Sequence, residues 1–158
     1  MDFEGNPSEV KMMKKILILT LSLFAFATLS QAADATARTH DKIRGDLLKF
    51  KGATFDAVNG ITDERSAGKE TKSLGKLLTK IKKLLVRAKE AGEPAADVKS
   101  NLDRKYAAEA ASVEAREPTR ATEAIIDGLS DELKQDFSKA MEAVGITIFQ
   151  IELVSGVQ

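Results

Sequence analysis

Apolar residues recur along most of this chain at intervals of three and four, the spacing that lines one face of an α-helix advancing about 100° per residue. The pattern is cleanest over 69–91, where Leu74, Leu77, Leu78, Ile81, Leu84, Leu85 and Ala88 share a face and Gly92 supplies the stop. An earlier segment, 36–60, puts Ile43, Leu47, Phe50, Thr54, Ala57, Val58 and Ile61 on one side. Gly45 and Gly52 weaken that helix by up to about 1 kcal/mol each relative to Ala, and 48–58 has a second reading as short strands. Pro94 suits the first turn of a third helix over 95–117, whose face positions Val98, Leu102, Tyr106, Glu109 or Ala110, and Val113 form a thin, alanine-padded stripe. Pro118 opens a fourth over 119–144, with Ile126, Leu129, Leu133, Phe137, Ala140, Met141 and Val144 on one face. Gly145 is its expected stop, and Ser130-Asp131-Glu132 offers a restart within it.

The tail breaks the period. In 146–154 (ITIFQIELV) residues alternate in a β-branched run, which reads as a strand. A lone strand leaves its backbone donors and acceptors unpaired, so it needs a partner: residues near 48–58, a second copy of this chain, or another protein. Homo-oligomer formation through 146–154 is the corresponding expectation. Four helical segments of similar length, joined by short connections apart from 61–68, predict a mainly all-α fold, an up-and-down bundle of about four helices with a short C-terminal strand. A three-helix hairpin array is the alternative. No internal repeat indicates a solenoid.

The first 32 residues follow different rules. Lys14 and Lys15 precede a 14-residue apolar run, Ile16 to Leu29, followed by Ser30-Gln31-Ala32. That is the plan of a signal peptide over 12–32, with cleavage between Ala32 and Ala33. The run falls short of the roughly 20 apolar residues a membrane span requires. Residues 1–11 are polar and acidic, unlike the start of a signal peptide, so translation is expected to begin at Met12 or Met13 rather than Met1. The mature protein is then a single domain, 33–158, exported to the periplasm or secreted, with no transmembrane segment after cleavage.

Composition narrows the chemistry. The chain has no cysteine, so an exported fold of this size must be held by packing alone, and neither a lipid-anchoring nor a nucleophilic thiol exists. Lys plus Arg and Asp plus Glu both number 24, which leaves no overall charge to attract nucleic acid or acidic polymers. With a single histidine, paired-His zinc hydrolases and Glu-x-x-His di-iron bundles cannot be built. Neither Gly-x-Ser-x-Gly nor a phosphate-cradling loop occurs, although Gly68 to Lys76 is similar to the latter in composition. Glu123 and Asp127 are one helical turn apart, an ordinary spacing for surface charge.

Local charge is more informative. Lys69, Lys72, Lys76, Lys80, Lys83 and Arg87 fall within an arc of roughly 80° opposite the leucine face of 69–91. Such a helix suits an anionic surface or a partner protein. The competing expectation is a solvated outer face neutralised by acids of the last helix, Glu123, Asp127 and Asp131. Without interleaved aromatic residues there is no platform for stacked bases, so nucleic acid is not an expected partner. A second chemistry comes from His40, near the start of the first helix, and Met141, read as near the end of the last. His plus Met is an axial pair for haem iron, and this placement resembles a reversed version of that in exported b-type cytochrome bundles. The resemblance implies a haem carrier as the alternative function. The preferred expectation is an exported, non-enzymatic binding or interaction protein with no cofactor.

Overall fold

The computed structural model describes residues 35–157. The extension 1–11, the expected signal peptide 12–32 and the cleavage site between Ala32 and Ala33 lie outside the described residues. The chain divides into two units, Met1–Ala37 and Arg38–Gln158, and the second carries the fold described below.

Among the described residues every regular element is helical. Helix α1 runs over 35–59, α2 over Glu64–Ala91, α3 over Ala96–Glu114, α4 over Arg120–Asp127 and α5 over Asp131–Val154. The all-α class stands, with five helices in place of four, and segment 48–58 is helical throughout. Helix α2 begins five residues earlier than the leucine pattern indicates because Asp63 and Ser66 cap it reciprocally. The Ser66 N–H donates to Asp63 Oδ1 at 2.7 Å and the Asp63 N–H donates to Ser66 Oγ at 2.9 Å. The cap holds the Asp63 carboxyl below its usual range, chiefly through the Ser66 backbone hydrogen bond. Gly92, at φ 70°, ends α2 as expected, with its N–H on the Ala88 carbonyl.

The segment expected as one helix over 119–144 is two. Thr119 caps α4, Gly128 closes it, and α5 restarts at Asp131, with Asp131 and Glu132 in the first turn where the helix dipole favours acids. The expected strand is the larger correction: 146–154 is the last third of α5, and Gly145 lies inside that helix. Val144, Thr147, Ile148 and Ile151 are all buried, and this i, i+3, i+4, i+7 set continues the face begun by Phe137. Burying side chains of this size contributes roughly 1.5–3 kcal/mol each for the aliphatic ones, which outweighs the cost of about 1 kcal/mol for a helical Gly. Thr147 satisfies its buried hydroxyl by donating to the Ala143 carbonyl at 2.7 Å. Because the backbone groups of 146–154 are used within the helix, strand-mediated pairing with a second copy has no structural basis.

Contacts along the helices fix their directions. Glu64 of α2 accepts from the Ser130 N–H just ahead of α5, and Glu93 after α2 lies against Gly156 after α5, so α2 and α5 run parallel. Helix α1 opposes both: Asp46 pairs with Arg87 at 3.2 Å, and Lys51 with Glu152 at 2.9 Å. Helix α3 runs alongside α1 in the same sense, through Lys105–Asp41 at 2.6 Å, Arg44–Asp103 at 2.9 Å and Arg116–Asp56 at 3.4 Å. The long helices therefore alternate in direction along the chain, with α4 as a short element before the last.

The core is shared by α1, α2 and α5, where Ile43, Leu47, Leu74, Ile81, Leu84, Val144 and Ile151 are each 2% exposed or less. Only Val113 of α3 is buried, as its thin stripe indicates. That helix is held against α1 by its ion pairs, by the Tyr106 hydroxyl donating to the Asp41 carbonyl, and by close approach at two glycines. A Cβ at Gly45 would stand 3.0 Å from the Tyr106 hydroxyl oxygen, and one at Gly52 would stand 3.3 Å from Arg116 Nη1.

Candidate functional site

The buried row Ala67, Leu74, Ile81, Leu84 and Ala88 fixes the rotation of α2 about its own axis. The basic residues expected to lie opposite the leucines do so: Lys69, Lys72, Lys76, Lys80, Lys83 and Arg87 are all exposed. The ends of the row are partly neutralised, Lys69 by Glu70 at 3.7 Å and Arg87 by Asp46 of α1. Among the described residues, Lys72, Lys76, Lys80 and Lys83 have no carboxylate within ion-pair distance. The acids expected to neutralise this face from the last helix play no such part, and Asp127 faces Lys134 instead, at 3.8 Å. The acids found against the basic row belong to α1 and α2 themselves. Asp56 and Glu70 line an open groove with Ser73, Lys76 and Lys80.

Two further lysines, Lys82 and Lys89, are exposed on the other flank of α2. Between them is Val86, 55% exposed. It stands five helical turns beyond Gly68, where a Cβ would lie 3.8 Å from Leu133 of α5, so this flank of α2 is the one beside α5. Helix α5 in turn turns Ile146, Phe149 and Leu153 outward, the last two more than 60% exposed. Reading 146–154 as a strand hides this row. Helical spacing of i, i+3 and i+7 is the signal that reveals it.

His40 and Met141 are not brought together. The fourth long helix extends past Met141 to Val154, so the end that meets the start of α1 is Ser155 and Gly156, which line a cavity with His40. Met141, half-buried on α5, precedes Ser155 by fourteen residues, about 21 Å along a helix axis. The cavity beside His40 has a volume of about 10 Å³, space for a single water rather than a porphyrin. His40 itself is 3% exposed, and neither of its ring nitrogens has a hydrogen-bond partner. Burial holds its pKa below the ordinary 6.5, because an imidazolium there loses its hydration.

No protein-family model matches this chain, and no curated protein or solved structure shows significant similarity to it. The arrangement must therefore be read from its own chemistry. No helix among the described residues is long and apolar enough to cross a membrane. What the unit offers to its surroundings is a basic helix held rigidly by its leucines, with exposed apolar side chains on the helix parallel to it.

Proposed function

We propose that this chain is an exported, non-enzymatic binding protein that presents the basic face of α2 to an anionic surface. The observation that carries the reading is the group Lys72, Lys76, Lys80 and Lys83, exposed on one rigid helix with no paired carboxylate. Four ammonium groups in one arc add their fields. At an anionic bilayer each lysine contributes about 1 kcal/mol at most, less where it lies away from the surface. Asp56 and Glu70 at the edge of the row lower the total.

The test is co-sedimentation of purified protein with vesicles of mixed phosphatidylserine and phosphatidylcholine, against phosphatidylcholine alone, across a salt series. Binding to the anionic vesicles only, lost at high salt and reduced at least about tenfold by joint replacement of the four lysines with Gln, is the expected result. Binding indifferent to salt or to the replacement refutes the reading. The export half rests on Lys14, Lys15 and the run Ile16 to Leu29. It predicts that protein recovered from the exported fraction has an intact mass starting at Ala33, and a mass retaining residues 12–32 refutes it.

A second reading, docking of a protein partner or a second copy, is favoured by the outward row Ile146, Phe149 and Leu153. It predicts concentration-dependent sedimentation, or capture of a protein, that Phe149→Ser abolishes. Unchanged behaviour of that variant counts against it.

A further inference from the structure

Between the later turns of α1 and the first half of α2 the two helices leave an open groove of about 350 Å³. Small residues make the room: Ala53 and Ala57 on α1 and Ser73 on α2 stand where larger side chains would close the seam, and Leu77 forms part of the wall. Charges of both signs surround it, Lys76, Lys80 and Glu70 from α2 and Asp56 from α1. Neither lysine is within ion-pair distance of either acid: Asp56 meets Arg116 at 3.4 Å and Glu70 meets Lys69 at 3.7 Å.

The groove is polarised along its length. Two contacts fix the antiparallel register of α1 and α2: Asp46 pairs with Arg87, and a Cβ at Gly60 would lie 3.5 Å from Glu70 Cγ. Asp56, one turn before Gly60, then stands about level with the stretch from Ser73 to Lys76. Both acids therefore lie toward the α1–α2 loop, and Lys80 lies one turn further from it than Lys76. Glu70 is the least satisfied of the four charges. Its side chain is 16% exposed, and the Lys69 ammonium at 3.7 Å is beyond hydrogen-bond reach. A carboxylate drawn back from water in this way favours a donor brought to it.

A ligand that complements this groove offers an anion to the lysines and, a short distance away, a cation with N–H groups to the acids. We infer that the groove is a headgroup site for phosphatidylethanolamine, in which Lys76 and Lys80 hold the phosphate while Glu70 and Asp56 accept from the primary ammonium two carbons away. The inference rests on the reading of α2 as a face for an anionic bilayer. It adds a choice among lipids that the summed field of the basic row does not make by itself. Phosphatidylcholine carries the same charges, but its trimethylated nitrogen is wider and has no N–H to donate.

The test is co-sedimentation with two kinds of vesicle of equal charge, phosphatidylglycerol mixed with phosphatidylethanolamine and phosphatidylglycerol mixed with phosphatidylcholine. The expected result is binding to both, tighter by about threefold or more with phosphatidylethanolamine, the factor of a part-exposed ion pair. Glu70→Gln should abolish that advantage while leaving binding to the phosphatidylcholine mixture as tight or tighter, because a negative charge beside the basic row is gone. Asp56→Asn should act in the same way. It also breaks the pair with Arg116, so if that variant unfolds, Glu70→Gln carries the localisation. No binding to either mixture refutes the anionic-surface reading and this inference with it. Equal binding to the two mixtures overturns this inference alone, and so does an ethanolamine preference that Glu70→Gln leaves undiminished.

Discussion

Gly145→Ala separates a helical ending from an extended one by the sign of its effect. In the structure Gly145 sits within α5, its φ is not positive, and a Cβ built there meets nothing within 4 Å. The substitution therefore removes backbone freedom from the unfolded chain and costs no packing, a gain of about 0.8–1 kcal/mol for Ala over Gly in a helix interior. For a unit of this size the gain raises Tm by roughly 3–5 °C. If Gly145 instead ended a helix ahead of a strand it would occupy a left-handed position, and Ala would destabilise by a similar amount. Gly92→Ala is the internal standard, since Gly92 has φ 70° and ψ −160°, a region in which a side chain costs about 1–3 kcal/mol. Thermal unfolding followed by circular dichroism, with urea titrations to confirm ΔG, gives both values. A Tm for Gly145→Ala that falls alongside that of Gly92→Ala refutes the continuous α5.

Ile151→Ala, at a fully buried position of the same tail, should cost about 2–5 kcal/mol in urea unfolding; a loss under 1 kcal/mol would mean the tail is not part of the core. Glu152→Gln removes the part-buried pair with Lys51, at 2.9 Å, and should lower stability by up to roughly 1 kcal/mol, with the difference shrinking in high salt. A larger side chain at Gly45, such as Leu, must displace the Tyr106 ring that packs there, so Gly45→Leu should speed amide exchange in α3 more than in α2; uniform acceleration would show that α3 is not held at this point. Burial makes folded His40 a weaker base than the unfolded residue, so the unfolded chain binds more protons below about pH 6.5. The stability present above that value is then lost as pH falls toward the folded pKa, and His40→Gln should flatten the dependence below about pH 6.5.

What could be read in advance, and what could not, follows from which interactions are local. The core face of α2 was legible because seven apolar positions share one period and a glycine with positive φ ends the run, all within the segment itself. Rotation of that helix placed the six basic residues outside, so the candidate surface was legible as well. The start of α2 was missed because its cap uses Ser66 at the third position rather than the usual Glu or Gln, so the capping pair does not stand out by residue type. The tail 146–154 was misread because Ile146 to Val154 satisfies two periods at once. Alternation and the i, i+3, i+4, i+7 set both occur in it, and only the neighbouring α1 and α2 determine which set is worth burying. The length of α5 then controls the chemistry at its end. By carrying the chain ten residues past Val144, it takes Met141 away from His40 and sets Ser155 there instead. A helix stop misplaced at Gly145 was enough to convert a water-sized polar cavity into an apparent haem pair. The same extension turns Ile146, Phe149 and Leu153 out to solvent, so α5 gains an outward apolar row, opposite its buried face, that a strand would have divided between two faces.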